Sequence, residues 1–570
     1  MSTSTSSVST GTLATTGSKT YVVGTASGID TTALVDAAYA QKTAAADAND
    51  TKVTANTAKI TAYKSMQSLT AALQTSLTDL KATYGYGVAD ASVYGQKQAY
   101  LAAADGTNTD NIMSVTVDDT AEKGTHTIEV EQLAKAMKVT STAASSKTDA
   151  LGLTGSFTLG LLDGTTASFD VTDGMSLQDI ATTVNASSST SGVSASVVKS
   201  SDTSYTLVLT ATATGKEINY ASTSGTDILN SLGVTGTDGS FSNVTQAAQQ
   251  AKIKLDGLEI TGSDNTFDDL IDGVSISLVG AKAGTEITLD VDNDYTSTKD
   301  AISAVVDAYN NLRDFINTNQ TVASDGTVSD DAVLFSDSIL KSLTAMASSM
   351  IGSASDSTSV ATLADMGITI DDDNKLEISD ESKLNSALLN NYDDIQKFFQ
   401  TSVTSDSDNI LLLRNTSTAA SMSFAIDITT DANGAITGAS VNGDSSAFTI
   451  DGSRLIGKTG SAYEGLTFVY AGTTSATVNI DLNQGIADRL YNALDDYSST
   501  TAGRVQDAID TLDQTDTKLN TESDTIRERA DAYRSKLVDR YATMESNISA
   551  ANLLLKQVKA ILGNSSDDNS

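Results

Sequence analysis

The sequence contains no cysteine, no proline and no tryptophan, and His126 is its single histidine. Without cysteine the chain forms no disulfides, offers no thiolate ligand, and is not threatened by an oxidising exterior. Average usage would supply roughly 28 prolines at about 5% of residues, and their absence removes a folding step that takes tens of seconds. Both absences suit a chain that is exported unfolded and folds promptly where it emerges. Compositional bias in the lineage is the alternative explanation.

Positive charge is also scarce, because 35 Lys and Arg residues face 72 Asp and Glu residues, for a net charge of −37. So acidic a surface repels phosphates, which argues against nucleic acid or anionic membrane as a partner. No run of about 20 apolar residues occurs, so no membrane insertion is expected. Residues 1–20 are mostly Ser, Thr, Gly and Ala and lack the apolar stretch of a signal peptide. The chain is therefore expected to be cytoplasmic, or exported by a route that reads a disordered N-terminus.

Apolar residues recur at helical spacing near both ends of the chain. One stripe runs from Tyr39 to Leu80, and a heptad pattern runs from Val505 to Leu562 with polar Asp516 and Ser523 at two seam positions. Neither helix can bury its stripe alone, so the two are expected to pair as a leg. The residues expected to pack there and to drive assembly are Ile60, Leu73, Leu77 and Leu80, set against Leu512, Leu519, Ile526 and Leu537, followed by Ile548 and Leu555.

Between the two ends, alternation at period two indicates strands, separated by Gly, Asp and Asn turns. Shorter helices are predicted at 176–185, 298–317 and 384–399. The predicted fold class is multidomain α+β, with long paired terminal helices forming a coiled-coil-like leg and with inserted antiparallel β-rich head domains.

The predicted domains follow these shifts in pattern. They are a disordered N-terminal segment at 1–28, an N-terminal leg helix at 29–84, a β-rich head domain at 85–140 and 250–296, an inserted outer β domain with a short helix at 141–249, a helical leg region at 297–404, a further β insert at 405–482, a C-terminal leg helix or coiled coil at 486–562, and a disordered tail at 563–570.

Three patterns resemble functional motifs but lack parts that the chemistry needs. Residues 452–459 satisfy the phosphate-loop pattern, but strand-like residues follow instead of a helix, so a β-hairpin is the preferred interpretation. The Asp-rich run 290–295 lacks the Gly and the bidentate Glu of a calcium loop. His126 has no second His or Cys to share a metal. We therefore expect no catalytic residues, no cofactor and no metal, and we do not expect an enzyme.

A series of short motifs carries a family resemblance through its order and spacing. The motifs are Gly28-Ile29-Asp30-Thr31 with Leu34-Val35, Gly124 to Ala134, Asp256-Gly257 followed by Gly273-Val274, Ala308-Tyr309-Asn310, and Leu363 to Ile368. Together they are similar to those of the flagellar hook-associated protein 2 family, the filament cap proteins, over nearly the whole chain. Members of that family usually carry some prolines, and this chain departs from them there.

The resemblance implies a structural protein that is secreted through the flagellar export apparatus and forms an oligomeric ring at the filament tip. There it would guide flagellin into the lattice. The implied partners are copies of itself, flagellin, the hook–filament junction proteins and a flagellar export chaperone. Two other classes remain open: a secreted adhesin, or another flagellar axial protein such as a hook–filament junction protein.

Overall fold

The computed structural model describes residues 12–16, 19–23, 26–85, 90–162, 164–352, 354 and 359–564. The chain divides into two compact units, one formed by Met1–Ala89 with Lys299–Ser570 and the other by Asp90–Thr298. Long terminal helices and inserted antiparallel sheets confirm the predicted α+β class. None of the described helices is both long and apolar enough to cross a membrane.

The helices and strands of the described residues are numbered in chain order. The helices are α1 Thr31–Ser76, α2 Leu177–Ala186, α3 Ser188–Ser191, α4 Ile228–Ser231, α5 Tyr295–Gln320, α6 Ser338–Ile351, α7 Glu381–Asn390, α8 Tyr392–Phe399, α9 Ile486–Ser498 and α10 Arg504–Asn564. The strands are β1 Thr12–Thr16, β2 Lys19–Val23, β3 Lys97–Ala103, β4 Met113–Val117, β5 Gly124–Gln132, β6 Lys138–Thr140, β7 Gly155–Leu161, β8 Thr166–Val171, β9 Val193–Ser201, β10 Ser204–Ala211, β11 Ile218–Gly225, β12 Val244–Gln246, β13 Ala251–Leu255, β14 Leu258–Gly262, β15 Thr266–Ile271, β16 Val274–Leu278, β17 Glu286–Asn293, β18 Ile368–Ile370, β19 Leu376–Ile378, β20 Ser402–Ser405, β21 Ile410–Asn415, β22 Met422–Thr430, β23 Ile436–Ser440, β24 Phe448–Asp451, β25 Arg454–Gly457, β26 Leu466–Tyr470 and β27 Ala476–Asn483.

The N-terminal leg helix is shorter than the predicted range 29–84. Asp30 caps α1 by accepting from the Ala33 amide at 3.0 Å, as N-cap Asp residues do. The helix ends at Ser76, whose hydroxyl donates to the Leu73 carbonyl. Residues 77–80 continue as turns, and the Ala82 amide then donates to the side chain of Asp488 at 3.2 Å.

The C-terminal leg region predicted over 486–562 consists of two helices. It is divided into α9 and α10 by residues 499–503, and Gly503 lies at a φ of +99° that side-chain-bearing residues avoid. The side chain of Arg504 donates to Asp496 across this break. Helix α10 continues to Asn564, within the range predicted as a tail, and residues 565–570 lie outside the described residues.

The N-terminal segment predicted as disordered over 1–28 contains two paired strands. Strands β1 and β2 form an antiparallel hairpin in which Thr12 pairs with Val23 and Thr16 with Lys19. Their composition of Thr, Val and Tyr favours strands once a hairpin can form. Residues 1–11, 17–18 and 24–25 lie outside the described residues.

A two-sheet β insert interrupts the helical unit between α8 and α9. One sheet has the strand order β20-β27-β22-β23 and the other β21-β26-β25-β24, all antiparallel. Their inner faces share one core, which contains the fully buried Phe468, Leu455 and Ile426. The insert is therefore a small sandwich with its own hydrophobic core.

The unit Asp90–Thr298 contains two β cores. One lies between the sheets β14-β13-β5-β17-β3 and β15-β16-β4 and includes Ile128, Ile253 and Leu289. The other lies between β12-β6-β10-β9 and β11-β7-β8 and includes Phe157, which helix α2 helps to cover. Helix α2 begins with a capping box formed by Ser176 and Asp179, one residue from the predicted start.

Candidate assembly interface

Helix α1 runs antiparallel to the C-terminal helices and meets both of them. Near its end, Gln74 donates to the Tyr491 carbonyl of α9 at 3.1 Å. Further back, Asn56 donates to Asp516 of α10 at 2.7 Å, and Asp36 accepts from Arg534 at 2.8 Å. Residue numbers therefore rise in one helix as they fall in the other, and this pairing forms the leg.

The middle of the leg is packed from small and polar side chains. Buried Thr43 and Ala46 of α1 lie at the level of buried Ser523 of α10, whose hydroxyl lies 3.4 Å from the Ala46 carbonyl oxygen. Asp516 is buried as well and accepts from Asn56. Such a seam buries little apolar area, so directional polar contacts carry much of the pairing here.

Charged side chains cross the leg beside this seam. Arg527 donates to Asp50 and, at 3.3 Å, to Asp47. The Arg527 guanidinium holds the pKa of the Asp50 carboxyl below its usual value, chiefly through that hydrogen bond. Arg534 lies over the Tyr39 ring at 5.3 Å while it also pairs with Asp36. Exposed ion pairs of this kind are weakened by salt.

Removing the Arg527 contact should therefore open the middle of the leg in a salt-dependent manner. In Arg527→Gln, we expect the amides of residues 43–53 to exchange hydrogen several-fold faster than in the parent at about 0.1 M salt. At about 1 M salt, where the Debye length falls from about 10 Å to about 3 Å, the difference should largely vanish. Arg529→Gln, at an exposed position of the same helix, is the control. A difference that persists at high salt would contradict an electrostatic origin.

The residues predicted to pack in the leg occupy three different environments. Ile60, Leu73, Leu77 and Leu80 are at most 8% exposed. Their predicted partners Leu512, Leu519, Ile526 and Leu537 are half-buried, as is Ile548. Leu555 is 53% exposed.

The structure also changes the predicted pairing. Ile60 lies at the level of Leu512, between the Asn56–Asp516 and Gln67–Gln506 contacts. Leu73 lies instead in the part of α1 that runs along α9, where Gln74 contacts Tyr491. The antiparallel register requires this difference, because α10 begins only at Arg504.

The last turns of α10 lie beyond the paired part of the leg. From Ala551 to Ile561 every residue is exposed, including large apolar side chains. These are Leu553, Leu554, Leu555, Val558 and Ile561, at 48–70% exposure. A shallow, open depression of about 590 Å³ lies along α10 itself, where Met544, Ile548 and Ala551 alternate with polar and charged side chains between Asp539 and Ala551. We call residues 549–564 the free end of α10.

A buried polar network, which sequence reasoning missed, joins the leg to the β insert. Asp488 of α9 is 3% exposed. One of its oxygens accepts from the Ala82 amide at 3.2 Å and the Thr401 amide at 2.8 Å, and the other accepts from the Tyr84 hydroxyl at 2.8 Å. Asn415 of the insert donates to the Tyr84 hydroxyl and to Gln484. Residues 82–84, the start of the β insert at Thr401 and helix α9 thus meet at one carboxylate.

Burial dominates the titration of this network. It raises the pKa of Asp488 above its usual value, against the opposing effects of its three donors and the charge of Lys81. Burial raises the pKa of the Tyr84 hydroxyl as well. In the sequence, an acid in the first turn of a helix is read as a favourable charge at the positive end of the helix dipole. Only its place among the buried residues of α9 distinguishes Asp488.

The three patterns that resemble functional motifs in the sequence have structural roles. Residues 452–459 lie across the β24–β25 hairpin, which confirms the hairpin interpretation. Asp292 pairs with Lys123 and accepts from the Tyr295 hydroxyl. His126 lies 2.8 Å from Asp256, whose other oxygen accepts from the Thr127 amide. Across the described ranges no group of three or more His, Asp or Glu side chains could hold a metal ion.

Comparisons with known proteins agree with the resemblance. The family model for the flagellar hook-associated protein 2 C-terminus matches residues 248–553, the model for its N-terminus matches 27–137, and a flagellin hook IN motif matches 156–213. The B-type flagellar hook-associated protein 2 of Pseudomonas aeruginosa is 27% identical over 360 residues, which cover 60% of this chain and 72% of that protein. The A-type protein is 28% identical over 403 residues, covering 67% and 80%.

Solved structures of similar proteins include the flagellar cap protein FliD D1-D2-D3 domains from Escherichia coli, at 22% identity and a TM-score of 0.44, covering 79% of this chain and 99% of that chain. The described residues combine a leg of paired terminal helices with inserted antiparallel β domains. The chain belongs to the flagellar hook-associated protein 2 family. It is accordingly a structural protein of the flagellum and not an enzyme.

Proposed function

We propose that this chain forms the oligomeric cap at the tip of the extracellular flagellar filament and promotes the assembly of flagellin there. Membership of the hook-associated protein 2 family is the main support. The structural feature that supports assembly is the free end of α10, where a continuous helix presents large apolar side chains without covering them. A contiguous group of exposed apolar side chains is typical of an interaction site.

The free end is amphipathic. At 3.6 residues per turn, Leu554, Leu555, Val558 and Ile561 lie within an arc of about 120°. Lys556 and Lys559 are the only charged residues of this segment, in a chain whose net charge is −37. A basic apolar helix end complements an acidic surface, so a second copy of this chain fits it by charge as well as by hydrophobicity.

The further partners that we propose follow from the family. Flagellin would be received beside the cap, and the hook–filament junction proteins would carry the cap before the filament grows. A flagellar export chaperone would cover the apolar face of the free end before secretion, since an exposed stripe of this kind promotes aggregation. The ten packing residues named from the sequence, Ile60 to Leu555, are proposed to act in assembly through the leg, with Leu555 contacting a partner directly.

Filament growth tests this proposal. In a flagellated bacterium that lacks its own hook-associated protein 2, the full chain should restore filaments. The double variant Leu555→Asp with Val558→Asp should leave flagellin in the medium as monomer, because charges on the apolar face oppose docking. Light scattering of the purified proteins should show an oligomer that the double variant loses.

Asn552→Asp with Gln557→Asp is the matched control, since it adds the same charge to exposed polar positions of the same helix segment. This control should support filaments and form the oligomer. If both double variants restored filaments equally well, the apolar face would have no part in capping. If the parent chain reached the tip and flagellin were still lost to the medium, the cap function itself would be contradicted.

A further inference from the structure

A buried carboxylate closes the end of the leg. Glu545 is 4% exposed, although the helix around it is mostly half-buried or exposed. A carboxylate taken out of water requires hydrogen-bond donors. Glu545 accepts from the Ala26 amide at 2.9 Å, from the Ser27 amide at 3.3 Å and from the Ser27 hydroxyl. These donors all come from the segment that precedes α1.

The turn that supplies these donors has a backbone conformation suited to binding an anion. The Ser27 hydroxyl, which donates to Glu545, also accepts from the Ile29 amide at 3.2 Å. Gly28 follows with a φ of +71°, a conformation that glycine adopts without strain. Asp30 then caps α1. Successive backbone amides arranged in a concave turn bind an anion, and here that anion is a side chain of the same molecule.

The position of this contact along α10 gives it a structural consequence. On one side, α10 is paired with α1 through Asp36 and the seam residues. On the other side, from Ala551 onward, every described side chain up to Ile561 is exposed. Glu545 therefore lies at the boundary between the paired leg and the free end.

We propose that Glu545 and the Ala26–Asp30 turn form a latch that holds the N-terminal segment on α10 and sets the length of the free end. With the latch closed, Met544 and Ile548 are half-buried. When it opens, residues 26–30 detach together with the β1–β2 hairpin that precedes them and also approaches α10. The apolar face of the free end then extends back over these two side chains. The pairing of α1 with α9 and with the middle of α10 is maintained, because it depends on other contacts.

Hydrogen exchange on the full chain tests the latch. In Glu545→Ala, the Ala26 and Ser27 amides should exchange at least about tenfold faster than in the parent, since they lose their acceptor. Amides of residues 60–73 should keep their protection. Ser27→Ala, which removes one donor and leaves the amides, should give a smaller increase. Glu528→Ala, at an exposed position of the same helix, should change neither set.

A thiol probe gives an independent readout, because the chain has no cysteine of its own. A single Ile548→Cys should react with a thiol reagent several-fold faster when combined with Glu545→Ala than when combined with Glu528→Ala. Unchanged exchange at Ala26 and Ser27 in Glu545→Ala would overturn the latch. Loss of protection throughout residues 60–73 would also overturn it, since Glu545 would then hold the whole leg.

Discussion

Replacing Asp488 with alanine is expected to lower the free energy of unfolding of the helical unit by about 3 kcal/mol or more. The substitution removes the acceptor of two buried amides, those of Ala82 and Thr401, and of the Tyr84 hydroxyl. Each buried donor left without a partner costs roughly 1–3 kcal/mol. Urea denaturation followed by far-ultraviolet circular dichroism measures the change.

Asp495→Ala is the matched control, because Asp495 lies on the same helix and its side chain is exposed. Surface substitutions of this kind usually change stability by less than about 0.5 kcal/mol. Asp488→Ala should also make the chain cleavable near Thr401 and Gly485, where the insert leaves the helical unit. A loss for Asp488→Ala no larger than that for Asp495→Ala would mean that the carboxylate is not the centre of this junction.

Asp488 should also give stability a distinct pH dependence. Burial raises its pKa in the folded state above the usual value of about 4 in the unfolded chain. Between these two pKa values the folded state binds more protons, so the contribution of Asp488 to stability is present below about pH 4 and is lost as the pH rises through the folded-state pKa.

The comparison with Asp488→Asn separates the pH-dependent contribution of Asp488 to stability from the contributions of the other carboxylates. As the pH is lowered from 7 towards 4, the parent should gain stability relative to Asp488→Asn. If the unfolding free energy of the parent minus that of Asp488→Asn stayed constant or decreased as the pH fell, the result would contradict a raised pKa. Ion-paired carboxylates such as Asp50 act in the opposite sense in both proteins, and their effect cancels in the difference.

Truncating Leu73 should have the second large effect. Its side chain is fully buried where α1 runs along α9, and Leu-to-Ala changes at such sites cost about 2–5 kcal/mol. Leu519→Ala should cost about 1 kcal/mol or less, because Leu519 is half-buried in the more polar part of the leg. Urea denaturation of both variants provides the measurement.

The same comparison applies to charged substitutions. Leu519→Asp should weaken the leg less than Leu73→Asp, since a charge at a half-buried position still reaches water. Equal losses at the two positions would show that the α1–α10 seam is as tightly packed as the α1–α9 contact. That result would contradict the burial pattern of the structure.

Periodicity alone was sufficient to predict the existence of the main elements. The apolar spacing of three and four along α1 and α10 is a local property of the chain, as is the alternation that produces β5 and β10. The helix predicted at 384–399 is instead two helices, α7 and α8, because Asn391 interrupts it with a non-helical backbone. Family membership could be inferred for a similar reason, since its motifs are short and ordered along the sequence.

What the sequence determined by itself was the class of the molecule: an acidic chain without cysteine or proline, with helical stripes at both ends and strands between them. The tertiary structure decided which partners those stripes meet. Leu73 lies along α9 because the antiparallel register and the break at Gly503 place α9 there. It also decided the roles of Asp488 and Glu545, which the sequence shows only as two acids among 72. Their donors are more than 80 residues away along the chain, and burial and hydrogen bonding over such distances arise only when the folded chain brings them together.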